Sequence, residues 1–182
     1  LREEFYVYPR KKRVRKKVKK ILITFGGTDP NNLTLRTIRA IEKLGLSDVI
    51  VKIVLGLGYT EKDKLYRYIS MLRNKGFNII VLENIRTMAK EIYDADIVIT
   101  SNGRTIYEVA SIGTPCISIS QNEREMRHLF VHHARCIYDL GIAYTLSEER
   151  IAEAINELIE NYNLRKKMNR KLLQFDFKEG LN

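Results

Sequence analysis

The sequence predicts an α/β fold in which a parallel sheet is covered by helices on both faces. Short β-branched runs alternate with longer amphipathic segments, the order expected when each strand is followed by a crossover helix. Most of these runs are continuously apolar rather than alternating, as strands covered on both faces are. No internal repeat or low-complexity segment interrupts residues 20 to 175, so one core is expected for the 182 residues.

Strands are predicted at Lys20 to Phe25, Val49 to Leu55, Asn78 to Leu82, Ile97 to Thr100 and Cys116 to Ser120, with a short last one near Ile142 to Tyr144. Apolar residues recur at helical spacing in Leu33 to Leu44, Lys62 to Lys75, Thr87 to Tyr93, Thr105 to Ile112 and Glu123 to Leu140. Ser147-Glu148-Glu149 opens a further helix to Tyr162 with a capping signal. In the last helix, Leu164 to Leu173, the residues Leu164, Met168, Leu172 and Leu173 form one packing stripe.

The net charge of +10 invites a nucleic-acid reading. The location of the charge weakens it. Nine basic residues and no acidic one lie between Arg10 and Lys20, and the rest of the chain carries 23 basic against 22 acidic groups. A short cationic run beside a first strand reads as a linker or as an edge facing another domain, and no aromatic residues interleave it to stack bases. Nucleic acid is therefore a disfavoured partner. Residues 1–19 are expected to be a basic interdomain linker and 20–182 the folded domain, with an N-terminal partner domain preceding the Leu1-Arg2-Glu3-Glu4-Phe5 opening. No apolar run reaches membrane-spanning length and no secretory signal is present, so a cytoplasmic location is expected. Cys116 and Cys136 read as buried small hydrophobes, and neither a metal site nor a cofactor is expected.

Ligands of open parallel sheets bind where strand exits meet helix N-termini. Three exits here carry unusual residues. Phe25-Gly26-Gly27-Thr28-Asp29-Pro30 has two glycines that admit close backbone approach, a cap in Thr28 or Asp29, and a proline suited to a first helical position. It matches neither the dinucleotide fingerprint nor the phosphate-loop pattern, and a tight strand-to-helix turn explains it equally well. At Ser101-Asn102-Gly103-Arg104-Thr105, the backbone N–H groups and the Ser101 and Thr105 hydroxyls form an anion-binding helix start. Glu108, one turn on, is placed to accept hydrogen bonds from two ribose hydroxyls, the plainer alternative being an ordinary solvated helix residue. The third exit presents Gln121 and Asn122, side chains suited to sugar hydroxyls, although Asn122 is also a common helix cap. His128 and His132 share a helical face at a spacing that suits a metal, but no companion ligand accompanies them and a packed or solvated helix is the expected reading.

Together Ile21 to Asn32, Ala95 to Glu108 and Gly113 to Asn122 resemble the C-terminal half of the UDP-sugar hydrolases of pseudaminic acid biosynthesis. More distantly they are similar to the C-terminal domain of the N-acetylglucosaminyltransferase that makes lipid II. The resemblance implies a Rossmann-like sheet, the C-terminal domain of a GT-B fold, with no catalytic residue of its own. It implies a UDP-sugar across the domain. The base would lie near Leu82 to Ile85, with Glu83, Asn84, Ile85 and Met88 at its edge, and the ribose on Glu108. The diphosphate would sit at Ser101, Asn102, Gly103, Arg104 and Thr105, and the sugar near Gln121 and Asn122. Gly26, Gly27, Thr28 and Asp29 would face the diphosphate and sugar. In the hydrolases a His of the N-terminal domain orients the attacking water, so this chain is expected to bind and not to turn over. A glycosyltransferase, a sugar-nucleotide 2-epimerase and a basic-arm nucleic-acid module are the alternatives.

Overall fold

The central apolar runs become strands that are buried on both faces. The computed structural model describes residues 1–177. In it β1 (Lys20–Thr24), β2 (Ile50–Leu55), β3 (Asn78–Glu83), β4 (Ile97–Ser101), β5 (Cys116–Ser120) and β6 (Tyr138–Ile142) form one sheet. All pairings are parallel and the strand order is β3-β2-β1-β4-β5-β6. The order reverses between β1 and β4, which opens a crevice at their carboxyl ends.

Side-chain alternation divides the core into two layers. Odd-numbered residues, among them Ile21, Ile23, Ile53, Ile97, Ile99, Ile117 and Ile119, face α2 (Leu33–Lys43), α3 (Lys62–Asn74) and α8 (Glu148–Glu160). Even-numbered Leu22, Val54, Val98 and Cys116 face α1 (Glu4–Val7), α4 (Met88–Asp94) and α5 (Thr105–Ile112), where Phe5, Ile92, Ile106 and Val109 cover them. Each fully buried Ile or Leu contributes about 2 kcal/mol.

One predicted helix is broken. Glu123 to Leu140 becomes α6 (Glu123–Met126), α7 (Leu129–Ala134) and then β6. His128 is extended and Arg135 left-handed at φ 48°, so the helical path stops at both. Asp139 accepts from the Ser118 hydroxyl at 3.0 Å and from Gly141 N–H at 3.1 Å, which pins β6 beside β5. The last strand therefore runs before the predicted Ile142 to Tyr144, and Ala143–Thr145 is a 3₁₀ turn.

The final helix, α9 (Tyr162–Leu173), buries Met168 and Leu172 as the stripe predicted. It also buries Arg165, which donates to the carbonyls of Leu158 and Ile159 and to those of Arg15 and Lys16, at 2.7 to 3.0 Å. Much of the basic run is thereby strapped to the domain. Arg10 donates to the carbonyls of Ser111, Leu172 and Leu173, the Lys11 ammonium to that of Ala95, and Arg15 to Asp96. No described helix is long and apolar enough to cross a membrane.

Candidate functional site

The β1, β4 and β5 exits converge on one cavity of about 290 Å³. Its walls include Gly26, Gly27, Thr28, Asp29, Ser101, Gly103, Arg104, Thr105, Gln121 and Asn122, which brings ten of the predicted residues together. Asn102 lies beneath, fully buried, its amide nitrogen 2.8 Å from the Glu125 carbonyl. Thr100 Oγ1, Asn102 Oδ1 and Ser120 Oγ, at the ends of β4 and β5, are buried without a hydrogen-bond partner.

The loop after β1 is built by its own side chains. Asp29 is left-handed at φ 46° and accepts from Leu33 N–H, Thr34 N–H and the Thr34 hydroxyl at 2.7 to 2.8 Å, so it caps α2. Gln121 Nε2 donates to Asp29 at 2.8 Å, and Gln121 Oε1 accepts from Asn31 Nδ2 at 2.8 Å. Both polar ends of the Gln121 side chain are thus committed to holding the loop. Asn122 accepts from Glu125 N–H at 3.0 Å as the cap of α6, the plainer of its two readings. The loop after β2 packs against the glycine pair so closely that a Cβ on Gly56 would sit 2.3 Å from the Gly26 carbonyl oxygen.

The start of α5 differs from these capped helices. Its N-cap, Arg104, makes no side-chain cap bond, and Ile106 N–H is the donor of the bond to Gly103 O at 3.3 Å. The first N–H groups of a helix have no intrahelical partner, and Gly103, Arg104 and Thr105 line the cavity wall. Such a start attracts an anion through these donors and the helix dipole.

Glu108 lies on the flank of α5 away from β5. Arg2 holds both its carboxylate oxygens at 2.7 Å, and the Glu108 side chain is only 4% exposed. The predicted base-binding loop stands apart from the cavity: Asn84 is left-handed at φ 53°, Ile85 packs against the α4 side of the core, and Met88 is buried. Glu83 pairs with Lys62 at 2.6 Å and accepts from the Tyr66 hydroxyl, contacts that hold its pKa below the usual carboxylate range.

One residue not singled out in the sequence completes the site. Glu125 enters the cavity wall, half-buried, with burial pushing its carboxyl above the usual range. His128 stands at the N-cap position of α7 without a side-chain cap bond and meets the Tyr107 ring edge-on at 5.7 Å, while His132 contacts the Met126 carbonyl at 2.9 Å. Among the described residues no group of three potential metal ligands occurs. Both cysteines are buried free thiols, and burial pushes Cys136 up to about 11.

Known proteins share this architecture. The chain is 35% identical over 126 residues to the uncharacterized protein MJ1062 of Methanocaldococcus jannaschii, covering 68% of this chain and 26% of that protein. It is 25% identical over 155 residues to the spore coat polysaccharide biosynthesis protein SpsG of Bacillus subtilis, covering 84% and 44%. The chain thus spans less than half the length of these relatives. Among solved structures, Acinetobacter baumannii MurG superimposes with a TM-score of 0.68 at 20% identity over 94% of this chain and 50% of its own. Anabaena Alr3699/HepE in complex with UDP-glucose does so with a TM-score of 0.65 at 16% identity, covering 86% and 43%. Residues 21–182 match the family model of the glycosyltransferase family 28 C-terminal domain, and the chain belongs to that family.

Proposed function

We propose that this domain binds a UDP-sugar, with the pyrophosphate over the uncapped start of α5. That uncapped start, facing a polar cavity at the point where the strand order reverses, is the observation that carries the reading. The solved relative that holds UDP-glucose supports the choice of nucleotide sugar. The ribose hydroxyls would bond Glu108 and the base would meet the Asn84 to Met88 loop.

In the longer polypeptide, water attacks the anomeric carbon, the bond from that carbon to the β-phosphate oxygen breaks, and UDP leaves with the electron pair. The proton of the water passes to a base of the N-terminal half. The α5 N–H groups and Arg104 stabilise the charge that grows on the leaving diphosphate. Attack by an acceptor hydroxyl instead of water is the second reading, and membership of a glycosyltransferase family favours it. The spore coat relative supports a place in polysaccharide biosynthesis.

Calorimetric titration with UDP, with CMP and a short oligonucleotide as controls, tests the proposal. Saturable binding of UDP alone is expected. Oligonucleotide binding without UDP binding would refute it and move function to the Arg10 to Lys20 run.

A further inference from the structure

A cavity of about 450 Å³ opens at the opposite end of the sheet from the proposed nucleotide site. It lies beside Asp96, which precedes β4, whereas the nucleotide cavity lies beyond Ser101, which ends that strand. At about 3.3 Å per residue the chain between them spans about 17 Å, so the two cavities are separate. The basic run supplies one wall with Lys11, Lys12, Arg13 and Arg15, and Tyr93, Asp94 and Asp96 supply the other.

The basic wall is clamped on both sides. Lys11 donates its backbone N–H to the Ile112 carbonyl at 2.7 Å and its own carbonyl accepts from Asn169 Nδ2 at 2.8 Å, while Arg165 donates to the Arg15 and Lys16 carbonyls. Between these clamps Lys12 and Arg13 are exposed and make no hydrogen bond or ion pair among the described residues. Lys11 turns inward and is only 8% exposed. An ammonium has three N–H donors to place; this one donates to the Ala95 carbonyl and stands 5.9 Å from the centre of the Tyr93 ring. The charged groups around it are Asp94, Asp96 and Arg15. Asp96 is already spent, accepting from the Lys19 and Lys20 N–H groups at 2.7 and 3.0 Å and from Arg15 at 3.3 Å.

We propose that this cavity binds the phosphate group of a small phosphomonoester, received by Lys11, Lys12 and Arg13. A phosphomonoester brings close to two negative charges and three strong acceptor oxygens, where a carboxylate brings one charge and two oxygens. Two cations without partners and a buried ammonium with donors to spare match the larger count. Asp94 opposes the anion, but five cations line the cavity against two carboxylates. The volume leaves room for the esterified group. The clamped backbone holds the donors together before the ligand arrives, so binding orders little. Nucleic acid fits less well, because the Tyr93 ring is already covered by Lys11 and offers no free face to a base. A bilayer finds no apolar anchor: among the described residues, none of the exposed large apolar side chains falls between Pro9 and Lys20.

Calorimetric titration of this chain at pH 8 with glycerol 3-phosphate tests the proposal, with phosphatidylglycerol vesicles as the other source of the same group. Saturable binding of glycerol 3-phosphate is expected, with UDP present or absent. Burial lowers the Lys11 ammonium to about 8, so at this pH it is about half protonated, and a bound dianion raises it again. Binding should therefore take up as much as about half a proton, read from titrations in two buffers of different ionisation enthalpy. Lys12→Ser combined with Arg13→Ser, both at exposed positions, should weaken binding at least about tenfold and leave the melting temperature unchanged. Lys11→Met should remove the proton uptake. Wild-type affinity in the Lys12→Ser, Arg13→Ser variant overturns the proposal, as does proton uptake that persists in Lys11→Met. Displacement by UDP overturns it too, since the phosphate would then sit at the start of α5. Binding of the vesicles without binding of glycerol 3-phosphate refutes the closed site and makes the run a lipid-facing surface.

Discussion

Replacing Arg2 removes the ion pair that now occupies Glu108. Two charge-assisted hydrogen bonds at 2.7 Å join the guanidinium to both carboxylate oxygens. Bonds to charged groups contribute roughly 1.5 to 3 kcal/mol each, but the Arg2 side chain is 52% exposed. Solvent screening of that half reduces the coupling to about 2 kcal/mol for the pair. A double-mutant cycle of Arg2→Ala and Glu108→Gln, followed by urea unfolding, measures this coupling directly. Arg2→Ala alone is expected to cost more than the double variant costs relative to Glu108→Gln, because it strands a carboxylate that is only 4% exposed. A coupling below about 0.5 kcal/mol would falsify the account of Glu108 as a buried charge that depends on Arg2. The same variant bears on ligand binding. Ribose hydroxyls reach a carboxylate so enclosed only when Arg2 moves aside, so Arg2→Ala should bind UDP several-fold more tightly than the wild-type chain. Weaker binding would instead show that Arg2 itself helps to hold the nucleotide.

Further expectations follow from other contacts. Gly103→Ala places a Cβ 3.4 Å from Glu125 Oε1 and 3.9 Å from Ser101 Oγ, ordinary contacts, so unfolding should change by less than about 1 kcal/mol while UDP affinity falls at least about tenfold; unchanged affinity moves the phosphate site elsewhere. Gly56→Ala has no such room, with the Gly26 carbonyl 2.3 Å from the new Cβ, and should cost about 2 kcal/mol and disturb the loop after β1, which a thermal melt and a UDP titration together would reveal. Arg165→Met strands four carbonyls that the guanidinium now serves and should cost about 3 kcal/mol; a loss under 1 kcal/mol in urea would mean that other donors replace it. Burial lowers the Lys11 ammonium to about 8, below the roughly 10.4 of an unfolded lysine. Between those values the unfolded chain binds more protons, so this group makes stability rise with pH, and its full cost is present below pH 8. Lys11→Met should abolish the rise, shrinking the difference from wild type by up to about 3 kcal/mol between pH 7 and 10.5; parallel profiles would show that Lys11 is not buried as a charge.

The sheet was legible because its central strands need no partner to announce them: five apolar runs became β1 to β5 within a residue or two. β6 was not. Tyr138-Asp139-Leu140-Gly141 is no apolar run, and its residues are only partly buried at the sheet edge. What makes it a strand is the Asp139 contact with Ser118, across 21 residues, which periodicity does not carry. The same division runs through the site. Gly26 was readable because its left-handed backbone, at φ 81°, demands glycine locally. Arg2 on Glu108, 106 residues apart, and Gln121 on Asp29, 92 apart, depend on the folded chain. Glu125 did leave a local trace, since an Asn cap followed by Glu three residues later is a capping-box pattern. Here the carboxylate reaches back to Gln121 N–H, one residue before the cap, and this return path sets it in the cavity wall.

Asp29 shows why a structural reading and a functional one need not compete. Its two oxygens take the Leu33 and Thr34 N–H groups, so the N-terminus of α2 is already closed by a carboxylate. A phosphate placed there would have to displace that carboxylate and meet its charge. Asn122 closes the start of α6 in the same manner. At the third helix start on this cavity, that of α5, the N-cap makes no side-chain cap bond. In the proposed UDP-sugar site, the capping of its neighbours leaves Gly103, Arg104 and Thr105 to meet the pyrophosphate, so side chains that look merely structural would decide where it sits.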